Sequence, residues 1–117
     1  MSFIYQADIY CNACGRAIRE RLDHAGKAPA DPSDEGSYDS DDYPKRAGDD
    51  EESDTPQHCA AGEKCLNAVE LPSGRKVGFL FGELTLDGIR YVKEAAEERT
   101  EVTDLWQEHF RAKGYDL

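Results

Sequence analysis

Cys11-Asn12-Ala13-Cys14-Gly15 and His58-Cys59-Ala60-Ala61-Gly62-Glu63-Lys64-Cys65 contain all four cysteines of this 117-residue chain. They form two pairs, Cys11-x2-Cys14 and Cys59-x5-Cys65, separated by 44 residues. The opening residues carry neither a basic nor an apolar leader, so the thiols are expected to stay reduced in the cytoplasm. Four reduced thiols in two pairs predict one metal site at Cys11, Cys14, Cys59 and Cys65 rather than two disulfides. Zinc is the metal of choice, because its tetrahedral preference suits four soft ligands and it has no redox chemistry. Four cysteines also leave no open position for water, so the ion is expected to be structural. Other readings stay open: a ligand set that uses His58, a pair of disulfides, a redox dithiol, or free thiols. The dithiol reading lacks the strand-to-helix context with aromatic and proline flanks that such motifs show. Gly15 is expected to allow the close turn of a zinc knuckle that aims backbone amides at sulfur.

The long gap does not threaten such a site. Extending a loop from about 15 to about 44 residues adds roughly 1 kcal/mol of closure entropy. Structural zinc contributes about 10 to 16 kcal/mol in small folded peptides.

Working outward, the gap holds most of the charge. The chain carries 14 Lys+Arg against 25 Asp+Glu, a formal net charge of −11. Residues 28–56 contribute eleven carboxylates against Lys45 and Arg46 alone, a local charge of −9, and hold four of the five prolines. The rest is nearly neutral. With Tyr38 and Tyr43 as its only larger apolar side chains, this insertion reads as a solvated, mobile loop. A second reading makes it an acidic recognition surface, with Tyr38 and Tyr43 as anchors among Asp39, Asp41 and Asp42. A calcium loop is disfavoured: counted from Asp39, the sixth position is Pro44 where glycine is needed, and the twelfth is Asp50 rather than Glu.

The scaffold reads as a single α+β domain, residues 1–117, with a short antiparallel sheet, one N-terminal helix and two C-terminal helices. Phe3, Tyr5, Ala7 and Ile9 alternate with Ile4, Gln6, Asp8 and Tyr10, predicting one half-buried strand that enters the first cysteine pair. Ala17, Ile18, Leu22 and Ala25 predict a short helix from Arg16, ended by Gly26. Ala68 to Leu71 and Lys76 to Phe81 predict a hairpin around Pro72-Ser73-Gly74. The stretch from about Thr85 to Lys113 is helical, and its apolar stripe rotates midway. A break near Thr100, acting as an N-cap, accounts for the rotation. His109, Trp106 and Phe110 lie on the apolar side of the second helix and read as core.

Function classes narrow by subtraction. The acidity argues against affinity built on phosphate neutralisation or on anionic lipid. No apolar run approaches a membrane span. No Gly-x-Ser-x-Gly, P-loop, Gly-x-Gly-x-x-Gly or His-Glu-x-x-His is present, and the deaminase spacing fails because His58 and Cys59 are adjacent. The chain is therefore expected not to be an enzyme.

Tyr5-Gln6-Ala7-Asp8-Ile9-Tyr10-Cys11-Asn12-Ala13-Cys14-Gly15, Tyr38-Asp39-Ser40-Asp41 with Tyr43-Pro44, and Glu52 to Cys59 running on to Cys65-Leu66-Asn67-Ala68 resemble a group of small uncharacterised proteins of bacteria and tailed phages. The resemblance covers about residues 1–98 and supplies no activity. It implies a cytosolic, phage-encoded zinc protein, within reach by analogy of the small acidic proteins that phages use against host nucleases. The leading expectation is a zinc-stabilised protein-binding module whose acidic insertion meets a basic protein surface, such as the nucleic-acid channel of a host defence complex. The alternative is a nucleic-acid-binding zinc ribbon that uses Arg16, Arg19, Arg21, Arg75 and Lys76.

Overall fold

Phe3 and Ile9 lie on two strands, not one. In the computed structural model, which describes residues 2–47 and 52–117, β1 (Ser2–Tyr5) pairs antiparallel with β2 (Asp8–Cys11), Phe3 opposite Tyr10 and Ile4 opposite Ile9. The two-residue turn places Gln6 at φ 51° and Ala7 at φ 64°. Left-handed backbone costs an L-residue roughly 1–2 kcal/mol, which is why asparagine and glycine usually occupy such turns. The Gln6 amide is held here by the Ser40 carbonyl at 3.1 Å. The single-strand expectation fails because the alternation continues unbroken through a turn that carries no turn residue.

Cys11 then caps α1 (Asn12–His24), which begins four residues before the expected Arg16. Gly26, at φ +73°, lies just beyond its end, as expected. The helix buries Cys14, Gly15 and Ile18. Gly15 lies inside the helix, not at a knuckle turn. A Cβ on it would sit 2.1 Å from the Phe3 ring, so its missing side chain is what lets Phe3 pack against α1.

The insertion is part of the fold. After one 3-10 turn at Glu35–Ser37, β3 (Lys45–Ala47) joins the other edge of β1, giving the order β2-β1-β3. Tyr43 and Pro44 are buried. The expected solvated loop is thus corrected over residues 35–47, where Tyr38, Tyr43, Pro44 and β3 pack on the scaffold and a helix side chain reaches out to hold them, while residues 28–34 form neither helix nor strand, as expected. Asp49, Asp50 and Glu51 lie outside the described residues. Beyond them, β4 (Glu52–Ser53) runs parallel to β9 (Glu83–Leu84).

The second cysteine pair is bounded by two-residue strands. β5 (Gln57–His58) pairs with β8 (Leu80–Phe81), and β6 (Val69–Glu70) pairs with β7 (Lys76–Val77) around Pro72-Ser73-Gly74. The predicted hairpin exists but is shorter. Gly78 interrupts its second strand, and a Cβ there would lie 2.3 Å from the Cys59 carbonyl oxygen. Thr85 then caps α2 (Leu86–Ala95), a 3-10 turn follows, and Arg99 takes the left-handed conformation. Thr100 opens α3 (Glu101–Ala112) through a reciprocal capping box with Thr103, the break expected from the rotated stripe.

Two small cores form among the described residues. One is the cysteine cluster with Phe81; the other joins Leu84, Val92 and Phe110. The chain is accordingly elongated, with a radius of gyration of 15.9 Å against about 13 Å for a compact domain of this length. Among the described residues no helix is long and apolar enough to cross a membrane.

Candidate metal centre

β2 delivers Cys11 at its last residue and α1 delivers Cys14 on its first turn, so the pair does occupy a strand-to-helix corner, contrary to the sequence expectation, and what separates it from a dithiol is the convergence of all four thiols. Cys59 follows β5, and its amide donates to the Phe79 carbonyl at 2.8 Å. Ala60 donates to the Ile9 carbonyl at 2.8 Å, which draws the second pair against the strand that carries the first. A 3-10 turn at Gly62–Lys64 then folds Cys65 back, so the x5 spacing closes as effectively as a tighter loop. All four cysteines are buried free thiols, and their sulfur atoms lie within 4.8 Å of one another.

These distances fit a metal better than a covalent link. Cys65 Sγ lies 3.6 Å from Cys11 Sγ and 3.7 Å from Cys14 Sγ. A disulfide needs about 2.05 Å, whereas sulfur atoms placed about 2.3 Å from a tetrahedral zinc are separated by about 3.8 Å. Backbone amides already point at the sulfurs: Leu66 N–H at Cys14 Sγ, 3.3 Å, and Asn67 N–H at Cys65 Sγ, 3.4 Å. Such donors stabilise thiolates. Burial pushes the Cys14 thiol well above its ordinary value and raises Cys59 to about 11. Burial works the same way on Cys65, but amides of Phe79 and Asn67 bring it below the ordinary value. A cation among the four is what such a crowded, buried set requires to become thiolate.

His58 is not a fifth candidate. Its Nδ1 lies 2.7 Å from the Gly78 carbonyl and its Nε2 lies 2.8 Å from the Trp106 indole nitrogen. The carbonyl only accepts and the indole only donates, so the ring is the Nδ1–H tautomer with both nitrogens engaged. This bridge also ties the cysteine region to α3, a role that the sequence did not suggest for either residue.

The expected partner-binding residues divide into two layers. Tyr43 is 2% exposed, and its hydroxyl donates to Asp23 Oδ1 at 2.9 Å. Tyr38 is half-buried and stands edge-on to Tyr43 at 5.4 Å. Tyr43 is therefore placed as an internal packing residue rather than an exposed anchor. Asp39, Asp41 and Asp42 lie outside, exposed. Asp39 accepts the Asp41 amide on its carboxylate at 3.1 Å and the Asp42 amide on its carbonyl at 3.0 Å, a tight turn that fixes the cluster.

Arg19 is the organising residue that sequence reading placed elsewhere. Its guanidinium donates to the Pro44 carbonyl and to the Tyr38 hydroxyl, approaches Glu35 at 3.7 Å, and lies over the rings of Phe3 and Tyr43. It is thus committed inside the fold, while Arg16 and Arg21 are exposed. The expected basic patch thus loses Arg19. A lone arginine one turn after a cysteine pair carries no local mark of this role.

No protein family, curated protein or solved structure matches the chain. The expected likeness to bacterial and tailed-phage proteins is not found in these comparisons.

Proposed function

We propose that this chain is a non-enzymatic protein-binding module, stapled by one zinc ion at Cys11, Cys14, Cys59 and Cys65, that presents a fixed acidic lobe to a basic protein surface. The observation that carries the reading is the convergence of four buried thiols from both sides of the acidic insertion. An ion held there closes the insertion into a loop anchored at both ends, with all ligand positions filled by protein. The metal then supports shape and not chemistry.

The lobe is suited to recognition. Arg46 and Arg19 both pair with Glu35, and Asp39, Asp41 and Asp42 form no ion pair among the described residues. A fixed row of exposed carboxylates costs less to order on binding than a mobile one. It also resembles in charge the phosphates that a nucleic-acid channel is built to hold, which is the finer form of the proposal: an inhibitor, phage-encoded, of a host nucleic-acid-binding defence complex. The commitment of Arg19 weighs against the zinc-ribbon alternative.

The test is association with basic partners captured from host extract, compared between the natural chain and the variant D39N/D41N/D42N. The reading expects slower association and a weaker salt dependence in the variant, with dissociation little changed. Unchanged partner binding in this variant, together with its loss in R16A or R21A, would overturn the acidic lobe in favour of a nucleic-acid binder.

A further inference from the structure

A cavity of about 350 Å³ lies between α2, the 3-10 turn that follows it, and the start of α3. Tyr91, Trp106, Ala95 and Val102 supply its apolar walls, and Glu94 and Glu98 are its only charged groups. Two features of it have no account in the packing. The first is aromatic. The ring centroids of Tyr91 and Trp106 lie 6.0 Å apart with their planes tilted by 43°, a wedge rather than a flat stack. Trp106 is held in place, because its indole N–H donates to His58 Nε2 at 2.8 Å. Tyr91 remains 44% exposed and belongs to neither core. The second feature is charge. Glu94 and Glu98 stand one turn apart at the C-terminal end of α2 and its 3-10 extension, where the helix dipole and their mutual repulsion both disfavour carboxylates. Neither forms an ion pair among the described residues. The first turn of α3, which could attract them, is already occupied by Glu101 and Asp104.

We propose that this cavity binds a trimethylammonium group, carried either by a small molecule or by a trimethylated lysine side chain. Tryptophan and tyrosine are the two aromatic side chains whose electron-rich faces attract a cation most strongly, and carboxylates beside them add to that attraction. A quaternary ammonium joins a positive charge to a methyl-covered surface and carries no N–H that needs an acceptor. It therefore suits apolar walls with carboxylates beside them better than the strongly hydrated ammonium of lysine does. No lysine or arginine lines the cavity, so no side chain in its lining competes for the carboxylates. A bound cation offsets the charge that Glu94 and Glu98 place at the helix end, which is the local conflict that the packing leaves open. The site depends on neither the metal centre nor the lobe that carries Asp39, Asp41 and Asp42.

The experiment uses the full chain, whose single tryptophan is Trp106, so that intrinsic fluorescence reports on the site itself. Choline is titrated beside its neutral isostere, in which a tert-butyl group replaces trimethylammonium, at constant ionic strength, and amide chemical shifts locate the contact. The expected result is saturable binding of choline with a Kd of about 1 to 10 mM, roughly fivefold or more tighter than the neutral isostere. Shifts should concentrate at residues 91–98 and 102–106, which border the cavity. Y91L should weaken binding about threefold to tenfold, and E94Q/E98Q by a similar factor of about threefold to tenfold. All three positions are exposed, and thermal unfolding like that of the natural chain verifies the fold of each variant. A peptide with one trimethylated lysine separates the two sources: tighter binding than choline assigns the cation to a protein, and equal or weaker binding assigns it to a small molecule. Four results would overturn the proposal: no saturation at about 100 mM choline, equal binding of the neutral isostere, an affinity unchanged in both Y91L and E94Q/E98Q, or shifts centred on Asp39, Asp41 and Asp42.

Discussion

Arg19 grips the carbonyl oxygen of Pro44 with two nitrogens, Nε at 2.9 Å and Nη2 at 2.7 Å. One helix side chain thereby fastens the acidic insertion to the scaffold. Pro44 has no amide of its own to place in a ladder, and its buried carbonyl needs a donor. R19A should destabilise the chain by about 2 to 4 kcal/mol, because it removes a forked, charge-assisted donor and leaves that carbonyl unsatisfied. R19K should recover only part of this, since an ammonium cannot supply the fork. Urea unfolding of the three chains measures the difference.

Deleting residues 31–54 provides a coarser check. A surface excursion could be removed at little cost, but here the deletion takes Tyr43, Pro44 and strand β3 away from β1. The melting temperature is expected to fall sharply, corresponding to several kcal/mol. A deletion variant that melts like the natural chain would show that the insertion contributes nothing to the fold.

Tyr43 gives the fold an alkaline dependence. Burial, then its hydrogen bond to Asp23, raises its hydroxyl to about 12. The free side chain titrates near 10, so the unfolded state loses its proton first as pH rises. Stability from this group is complete below about pH 10 and is lost as pH climbs toward 12. Y43F should cost about 1 kcal/mol at neutral pH by removing the hydrogen bond. It should also show a shallower loss of stability across that alkaline window than the natural chain, read from denaturation at successive pH values.

Gly15 permits a test of sign. In an exposed helix interior, glycine to alanine stabilises by about 1 kcal/mol. Here the new Cβ would fall within 2.1 to 2.6 Å of three Phe3 atoms. G15A should instead destabilise by about 1 to 3 kcal/mol through overpacking, and F3L should offset part of the loss in the double variant. Additive costs in the double-mutant cycle would show that the two residues do not meet.

Much of this architecture is legible in local chemistry. The Thr100 break, the Gly26 helix end and the Pro72-Ser73-Gly74 hairpin are each written in a cap or turn residue, and the structure has all three. The cysteine pairs could be matched because thiols in a small chain have few alternative uses. What remained hidden depends on distant partners. The Gln6-Ala7 turn lacks any turn residue and is held by Ser40, thirty-four positions away. Tyr38 and Tyr43 look exposed among carboxylates until Arg19 is seen reaching across to them. His58 gains its meaning from Gly78 and Trp106, both distant in sequence.

The central claim is that Cys11, Cys14, Cys59 and Cys65 hold a single structural zinc ion. Native mass spectrometry of the full chain, with unfolding followed on the same samples, tests it most directly. The account predicts one zinc per chain, lost in C14S and on chelation, with a loosened fold in both cases. A chain that carries no zinc under reducing conditions, or one that keeps its fold and stability after the metal is stripped, would contradict it.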